Sequence, residues 1–302
     1  MDALIRALRW DFNGEILVDE PMSKHTTYKI GGPASYFVTV DDLGSLTTLC
    51  TALEGLGWVW FVIGSGSNLL VSDEGFAGVV IKLGEAFDGC KYDPETGIIS
   101  AGCACRLSRV VSEAATQNRS GMEFAVGTPG TVGGALRMNA GTSRDYLGSR
   151  VVSVTTLRPG MGLVKYDAAE ISWSYRSSSI PADEIIVECE IATRQPEDDD
   201  VRGRMIRALE RRKKTQPLGL PSCGSVFQNP EKDSAGRLIE NVGLKGASCG
   251  GAAFSSLHAN FIVNTGQATA DEVLTLIHAA QDAVMDKYQI HLTPEVRFLG
   301  FS

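Results

Sequence analysis

Hydrophobic residues recur along this chain at the two spacings that mark helices and strands. Apolar positions three and four residues apart predict amphipathic helices at 43–53, 107–114 and 273–284. The first of these helices is expected to begin at a cap formed by Asp41, and the last opens on a capping box formed by Thr269 and Glu272. A further helix, predicted at about 201–214, ends in four consecutive basic residues.

Apolar runs of strand length lie among these helices. They are found at 36–40, 58–63, 79–83, 97–102, 151–157, 162–166 and 185–192. The last three runs are separated by turns, which predicts an antiparallel sheet. An acidic run at 195–200 is a candidate boundary that favours the start of the next helix. The pattern therefore predicts a mixed α and β chain, which we divide into 1–86, 87–200 and 201–302.

Composition narrows the class of protein. The 302 residues include 28 basic and 36 acidic side chains, so the net charge is 28 − 36 = −8. An acidic chain of this kind is a poor partner for nucleic acid, and no apolar run reaches the length of a membrane span. Seven cysteines without a CxxC pair indicate a reduced, cytoplasmic compartment, and the four histidines lack the spacing of metal ligands.

The stretch 121–141 is rich in glycine and has few charged residues. Glycine allows a positive φ and the close approach of a ligand. Together with the short polar side chains of Thr128, Thr131 and Asn139, this composition suits a loop around a large flat or phosphorylated ligand. A set of sharp turns between buried strands is the alternative, and the stretch alone favours neither.

A second glycine-rich stretch, GSGSN at 64–68, follows a predicted strand. It lacks the third glycine of the dinucleotide fingerprint and the GK[ST] of a P-loop. A strand followed by Gly, Ser and Asn nevertheless aims backbone amides at a pyrophosphate. With the first stretch counted beside it, contact with a ligand is favoured.

Three single residues are candidates for chemistry, each with a plainer alternative. Ser225 lies in a predicted tight turn, outside any G-x-S-x-G motif, and a turn serine without chemistry is the usual outcome. Arg176 lies among aromatic and hydroxyl residues, and Glu295 follows a proline in an apolar segment. Taken singly, each of these charges is better explained as an ordinary surface charge. The basic helix end around Arg212 suits either the helix C-terminus or a phosphorylated substrate.

Considered together, these stretches form a recognisable set. Eight motifs occur in order along the chain: YKIGGPA at 28–34, GSGSNLL at 64–70, GTPGTVGG at 127–134 with NAG at 139–141, YR at 175–176, GSVF at 224–227 with NP at 229–230, GRLIE at 236–240 with GLKG at 243–246, HANF at 258–261, and PEV at 294–296. The set resembles the UDP-N-acetylenolpyruvoylglucosamine reductase (UDP-N-acetylmuramate dehydrogenase) family from about residue 23 to 298.

The resemblance implies an α+β fold. Two N-terminal FAD-binding subdomains of the vanillyl-alcohol-oxidase type, 1–86 and 87–200, would precede a C-terminal α+β substrate-binding domain, 201–302. It also implies a set of cofactor-binding residues: Gly64, Ser65, Gly66, Ser67, Asn68 and Leu69 at the pyrophosphate, and Gly127, Thr128, Pro129, Gly130, Thr131, Gly133, Gly134, Asn139 and Gly141 in the loop against the flavin. No histidine lies in these loops, so non-covalent FAD is expected.

The resemblance also implies the chemistry and the substrate contacts. NADPH would reduce FAD, and hydride would then pass to the enolpyruvyl group of UDP-N-acetylglucosamine enolpyruvate. Ser225 matches the proton donor, and Arg176 and Glu295 match the two other catalytic residues. The implied substrate-binding residues are Tyr175, Arg212, Asn229, Lys245, His258 and Asn260. The short connection from Arg176 to Ile185 is typical of the shorter variety of the family, which lacks a tyrosine clamp loop, and Gln228 replaces a commonly basic residue.

The leading hypothesis is therefore a cytoplasmic, monomeric FAD enzyme that makes UDP-N-acetylmuramate for peptidoglycan. Two alternatives stay open: a flavin oxidase of the same fold acting on another small molecule, and a non-catalytic nucleotide-binding protein. The joint presence of Ser225, Arg176 and Glu295 favours catalysis over binding alone.

Overall fold

The computed structural model describes residues 3–8, 12–142, 145–198 and 200–301. Contacts divide these residues into two compact units. The first unit contains the described residues of Met1–Val18, Tyr36–Gly64 and Gly78–Glu210, and the second contains those of Asp19–Ser35, Ser65–Ala77 and Arg211–Ser302. The three-part division at residues 86 and 200 stays a prediction.

Helices and strands alternate through much of the described chain. The α-helices are α1 (Ala3–Ala7), α2 (Leu43–Leu56), α3 (Leu107–Thr116), α4 (Val132–Arg137), α5 (Val201–Thr215), α6 (Ala235–Asn241) and α7 (Ala270–Tyr288). The strands are β1 (Gly14–Pro21), β2 (Pro33–Val40), β3 (Trp60–Ile63), β4 (Leu69–Val71), β5 (Phe76–Leu83), β6 (Cys90–Tyr92), β7 (Ile98–Gly102), β8 (Val151–Arg158), β9 (Gly162–Asp167), β10 (Trp173–Ser174), β11 (Ser177–Ser178), β12 (Ile185–Ala192), β13 (Ser248–Cys249), β14 (Ala252–Phe254), β15 (Ile262–Asn264) and β16 (Arg297–Leu299). No helix in these ranges is long and apolar enough to cross a bilayer.

Two larger sheets carry the predicted strands. One has the order β1-β2-β5-β3, with β3 parallel to β5. The other has the order β6-β7-β12-β8-β9 and is antiparallel throughout. The antiparallel sheet predicted from the runs at 151–157, 162–166 and 185–192 is thereby confirmed.

Each unit is built around its own apolar core. The first core packs the inner face of α2, including Leu46, Cys50 and Leu53, with residues from α3 and the five-stranded sheet. The second packs the stripe of α7, which begins at Val273, against residues such as Phe254. Complete burial of one such side chain contributes about 1.5–3 kcal/mol, so these stripes account for much of the stability. They are the faces that the helical spacing predicted.

The caps of two helices show what the local sequence specifies. The Thr269–Glu272 capping box of α7 is present as predicted. The predicted Asp41 cap of α2 is wrong by one residue. Asp42 has the extended backbone of a cap, and its carboxylate accepts from Ser45 N at 2.7 Å. Asp41 instead accepts from Glu85 N at 3.0 Å, a partner that depends on the tertiary fold.

Candidate active site

In the first unit, the end of β3 lies against the start of α4. A Cβ atom added to Gly64 would stand 2.4 Å from Thr131 Oγ1. The same hydroxyl oxygen caps α4 by accepting from Gly134 N at 3.4 Å. Only glycine leaves room for this approach. The structure thus brings two of the predicted cofactor loops into direct contact, at residues that are 67 apart in the sequence.

The loop from Gly127 to Gly134 is held by its main chain. Gly127 and Gly130 have positive φ values of 71° and 114°. The loop then pairs with the C-x-C segment: Val132 N donates to Cys105 O at 2.8 Å, and Gly133 N donates to Cys103 O at 3.0 Å. Both cysteines are buried and serve as small core residues. The glycines therefore bend a loop whose far side is fixed to the core.

The segment that follows this loop supports the hairpin that carries Arg176. Gly141 pairs with Tyr146, and its carbonyl oxygen accepts from Arg176 Nη1 at 2.9 Å. The Arg176 guanidinium also lies 4.9 Å from the ring centroid of Tyr175, whose side chain is 45% exposed. A predicted catalytic cation is thus hydrogen-bonded to a predicted cofactor loop.

In the second unit, the pyrophosphate loop packs against the segment at 25–27. Gly66 has a φ of 59°, and a Cβ atom there would stand 2.2 Å from His25 O. Thr27 N donates to Gly66 O at 3.2 Å, and Thr27 Oγ1 donates to Ser222 O at 2.7 Å. Thr27 therefore connects the pyrophosphate loop to the segment before Ser225. This role of Thr27 was not predicted from the sequence, although Thr27 directly precedes the YKIGGPA motif.

Ser225 lies in a tightly held turn of the second unit. Gly224 has a φ of 80°, and Val226 N donates to Asn260 O at 2.8 Å. The Asn260 side chain holds the next residue through both of its amide atoms: Phe227 N donates to Oδ1 at 3.0 Å, and Nδ2 donates to Phe227 O at 2.8 Å. Among the described residues, the half-buried Ser225 hydroxyl makes no hydrogen bond. The backbone is fixed while the hydroxyl stays available.

Glu295 is attached to the same turn. Its N–H donates to Val226 O at 2.7 Å, and its carbonyl oxygen accepts from Asn68 Nδ2 at 3.1 Å. Asn68 is therefore hydrogen-bonded to Glu295, and Glu295 is hydrogen-bonded to the residue that follows Ser225, although the three predicted site residues come from distant parts of the sequence. Asn68 thus has a structural contact in addition to its predicted place at the pyrophosphate.

A buried pair beside this turn was not found from the sequence. Tyr28 and Cys223 are both almost fully buried, and the hydroxyl and thiol face each other without meeting hydrogen-bond geometry. Burial raises the pKa of Cys223 to about 12, and the nearby Glu295 carboxylate adds to the rise. The Glu295 carboxylate therefore lies near the Ser225 turn as well. The only sequence signal for Tyr28 was its position as the aromatic first residue of the YKIGGPA motif.

The predicted substrate-binding residues of the second unit differ in their partners and in their burial. Lys245 Nζ lies 2.9 Å from Glu240 Oε1, and Asn229 Oδ1 accepts from Ala235 N at the start of α6. Burial lowers the pKa of the Arg212 guanidinium, whose Nε donates to Gln216 at 3.2 Å. These contacts describe the protein alone, so the substrate contacts stay predictions.

His258 lies close to the Asn260 clamp. Its Nδ1 accepts from Asn260 N at 3.2 Å, which leaves Nε2 to carry the ring proton. Burial lowers the pKa of His258, and the charge of Lys245 lowers it further. A neutral ring with Nε2–H as donor is the form that this environment favours.

Each loop, considered within its own unit, carries main-chain donors of the kind that FAD accepts from. Among the described residues, the main-chain N–H groups of Gly66 and Ser67 in one unit, and of Gly130 and Thr131 in the other, donate to no other group. Main-chain N–H groups beside positive-φ glycines are the donors that a pyrophosphate or a flavin ring accepts from. The short side chains in these loops also leave space for a flat ligand.

Comparison with known proteins first defines the class. A family model described as an FAD binding domain matches residues 34–164. The structure of wild-type Phl p 4.0202, a glucose dehydrogenase, matches 64% of this chain and 44% of its own length, with a TM-score of 0.50 and 10% identity, which shows a shared fold. The chain is an FAD-dependent oxidoreductase of α+β fold. Its flavin-binding part is of the vanillyl-alcohol-oxidase type, as predicted.

The remaining comparisons define the family. A model described as UDP-N-acetylenolpyruvoylglucosamine reductase, C-terminal domain, matches residues 216–299. The reductase of that name from Halalkalibacterium halodurans is 40% identical over 99% of both chains, and the one from Synechococcus sp. is 42% identical over 93% of both. The crystal structure of the Thermus caldophilus enzyme covers 95% of this chain and 99% of its own, with 33% identity and a TM-score of 0.80. The chain belongs to the UDP-N-acetylenolpyruvoylglucosamine reductase family.

Proposed function

We propose that this chain reduces UDP-N-acetylglucosamine enolpyruvate to UDP-N-acetylmuramate, with NADPH as hydride donor, in the synthesis of peptidoglycan precursors. The observation that carries the proposal is the hydrogen-bonded connection of the Ser225 turn, Glu295 and Asn68. It joins two residues of predicted catalytic function to one of predicted cofactor function, in a chain related over its whole length to enzymes of that name.

Each of the two loops, taken by itself, offers donors suited to one part of FAD. The donors from Gly66 and Ser67 suit the pyrophosphate, and those around Gly130 suit the flavin ring. Bound there without a covalent link, FAD would supply hydride transfer between NADPH and the enolpyruvyl group of the substrate. The side chains of the protein then have to stabilise the negative charge that forms on the substrate and to supply a proton to it.

Arg176 and Glu295 stabilise the negative charge that develops on the substrate. Negative charge grows next to the substrate carboxylate as hydride arrives, and a fixed guanidinium stabilises it. The bond from Arg176 Nη1 to Gly141 O holds that cation in a set orientation. Glu295 suits this site when its carboxyl is protonated or hydrogen-bonded, since a bare carboxylate would repel the same charge.

Ser225 supplies the proton. A serine hydroxyl is a weak acid, but a carbanion-like intermediate is basic enough to take its proton. The fixed backbone on either side of Ser225 supports this role, because proton transfer needs a positioned donor. Arg212, Asn229, Lys245, His258 and Tyr175 would hold the UDP-sugar. We further propose a cytoplasmic monomer without a nucleic acid partner, and light scattering after gel filtration tests the oligomeric state.

The decisive experiment follows the two half-reactions of purified protein in the absence of oxygen. NADPH should bleach the yellow protein, and UDP-N-acetylglucosamine enolpyruvate should restore the oxidised spectrum. Colourless protein that cannot be reconstituted with FAD would overturn the proposal. Rapid re-oxidation by oxygen, with no response to the enolpyruvyl substrate, would identify a flavin oxidase instead.

A further inference from the structure

Asn139 connects the flavin loop to the hairpin of Arg176. Its side chain is 3% exposed, and its backbone is left-handed with a φ of 40°. Nδ2 donates to Ser174 O at 2.8 Å, and Oδ1 accepts from Gly148 N at 3.0 Å. One amide group therefore holds a strand of the hairpin and a neighbouring turn at the same time.

The hairpin itself is too small to hold its own geometry. Strands β10 and β11 contribute two residues each, with Ser174 opposite Ser177, so Tyr175 and Arg176 form the turn. Arg176 has a φ of 56°, a left-handed conformation that side chains other than glycine adopt at a cost. An isolated two-stranded hairpin is marginal in water even without such a residue. Contacts from outside must therefore set its position.

Three contacts with the hairpin come from one short segment, residues 137–141. Asn139 binds the β10 side through Ser174 O. The carbonyl oxygen of Arg137 accepts from Ser178 Oγ at 3.4 Å on the β11 side, and Gly141 O accepts from the Arg176 guanidinium. The Asn139 bond is the shortest of the three, and the Asn139 side chain that makes it is almost fully buried. The position of Arg176 thus depends directly on the end of the flavin loop.

We infer that Asn139 is a positioning residue for Arg176. Through its bond to Ser174 O, it sets where the Arg176 guanidinium stands, and this explains its burial better than the contact with FAD that the sequence implied. The inference rests on the catalytic role of Arg176 proposed above. The position demands asparagine because the side chain must donate on one side, accept on the other and tolerate a left-handed backbone.

Asn139→Asp separates the two bonds. Aspartate keeps the acceptor for Gly148 N and tolerates the backbone, but it places an oxygen against Ser174 O in place of a donor. Flavin reduction by NADPH and the amount of bound FAD should stay within about twofold of the unmodified protein, since a hydrogen-bond loss in the hairpin leaves both loops intact. Re-oxidation by the substrate should slow on the order of 10²-fold, the usual result of a misplaced catalytic group. Asn118→Asp, at an exposed left-handed residue, is the matched control.

A double-mutant cycle with Arg176→Ala identifies the route of the effect. If Asn139 acts through Arg176, adding Asn139→Asp to Arg176→Ala should slow re-oxidation no further. Additive losses would overturn the inference. Amide hydrogen exchange of residues 172–180 should rise in Asn139→Asp, with 97–117 unchanged, and this readout does not depend on activity. Asn139→Gly, which removes both bonds at no backbone cost, provides a second variant should the aspartate fail to fold.

The experiments distinguish failure of the proposed catalytic role of Arg176 from failure of the positioning role of Asn139. If Arg176→Ala re-oxidises at the normal rate, the catalytic role of Arg176 in the proposed function is wrong. If Arg176→Ala is slow while Asn139→Asp is normal, only the positioning inference is wrong. Loss of FAD, or equal slowing of both half-reactions, in both Asn139 variants would return Asn139 to the cofactor site and overturn the inference.

Discussion

The main-chain N–H of Glu295 donates to the carbonyl oxygen of Val226 at 2.7 Å, which fixes one predicted catalytic residue directly beside the turn that carries the other. The carbonyl oxygen of Glu295 is held as well, by Asn68 Nδ2. Main-chain anchors of this kind hold the backbones of Glu295 and of the Ser225 turn in place without using either side chain. Both anchors lie inside one compact unit, so the geometry does not depend on a moving partner element.

Asn260 tests how far catalysis depends on this rigid turn. Asn260→Asp removes the donor to Phe227 O and places a carboxylate at a site that is 3% exposed. The free energy of unfolding should fall by about 1–3 kcal/mol, the cost of an unsatisfied buried group, and re-oxidation by the substrate should slow. Urea unfolding and stopped-flow spectroscopy measure the two effects. Unchanged stability would show that the clamp is dispensable and would favour the direct substrate contact predicted for Asn260.

Gly64 tests the contact of the two cofactor loops in the first unit. Gly64→Ala would place a methyl group 2.4 Å from Thr131 Oγ1, so FAD affinity should fall. Thr131→Ala in the same chain removes the obstructing oxygen and should restore part of the affinity, less the roughly 0.5–2 kcal/mol of the lost helix cap. Fluorescence titration with FAD measures both variants. Gly55→Ala, where the added methyl group meets open space, is the control, and absence of rescue would contradict this explanation.

The sequence predicted the helices, strands and glycine-rich loops, but it did not predict the main-chain groups that individual side chains bind. Glycine spacing and apolar periodicity are local signals, and they indicated the 127–134 loop and the stripe of α7. Asn139 and Asn260 were expected to contact ligands, yet their amides bind main-chain groups at Ser174 and Phe227. Those partners are 35 and 33 residues away, so only the folded chain brings them into reach. The Asp41 cap was wrong because Asp41 accepts from Glu85 N, which is 44 residues away, while the ligand contacts of Asn139 and Asn260 stay predictions.

His258 predicts a pH dependence of stability. In the folded state its pKa is lowered mainly by burial and also by the charge of Lys245. An unfolded histidine keeps its ordinary pKa of about 6.5. The unfolded chain therefore binds more protons in mildly acidic solution. The stabilising contribution is complete above that ordinary pKa and is lost as the pH falls below it towards the lowered value.

His258→Asn isolates this contribution. The asparagine Oδ1 takes the place of Nδ1 as acceptor for Asn260 N, and it does not titrate. Urea unfolding between pH 8 and pH 5 should therefore show the unmodified protein losing stability relative to the variant as the pH falls. His291→Asn, at an exposed residue, is the control. A constant difference across this range would contradict the prediction.

Arg212 predicts a loss of substrate binding. Its guanidinium is partly buried, which lowers its pKa and makes a substrate phosphate a favourable neighbour. Arg212→Ala should raise KM for the UDP-sugar about 10- to 100-fold, the usual worth of a hydrogen bond to a charged group, and lower kcat much less. Lys214→Ala, at an exposed residue of the same helix end, is the control. An unchanged KM would assign the basic cluster to the helix C-terminus alone.

Ser225 makes the sharpest prediction about chemistry. Ser225→Ala should bind FAD and accept hydride from NADPH at nearly normal rates, because neither step needs the serine proton. Re-oxidation by the enolpyruvyl substrate should slow by about 10²–10⁴-fold, the usual worth of a positioned general acid. The loss should be at the upper end if the closed site keeps water away from the intermediate. Ser225→Cys should recover part of the rate, since a thiol also donates a proton.

The comparison of half-reactions decides what Ser225 does. Equal slowing of both would show that the serine holds structure, although the fixed backbone on both sides of it argues against that outcome. No slowing of either would make another group the donor. Ser222→Ala then tests the second hydroxyl of the turn. Cys223 is a poor substitute, since its thiol is 2% exposed and faces Tyr28 inside the core. Selective loss of re-oxidation in Ser225→Ala, with Ser222→Ala unaffected, assigns the proton to Ser225.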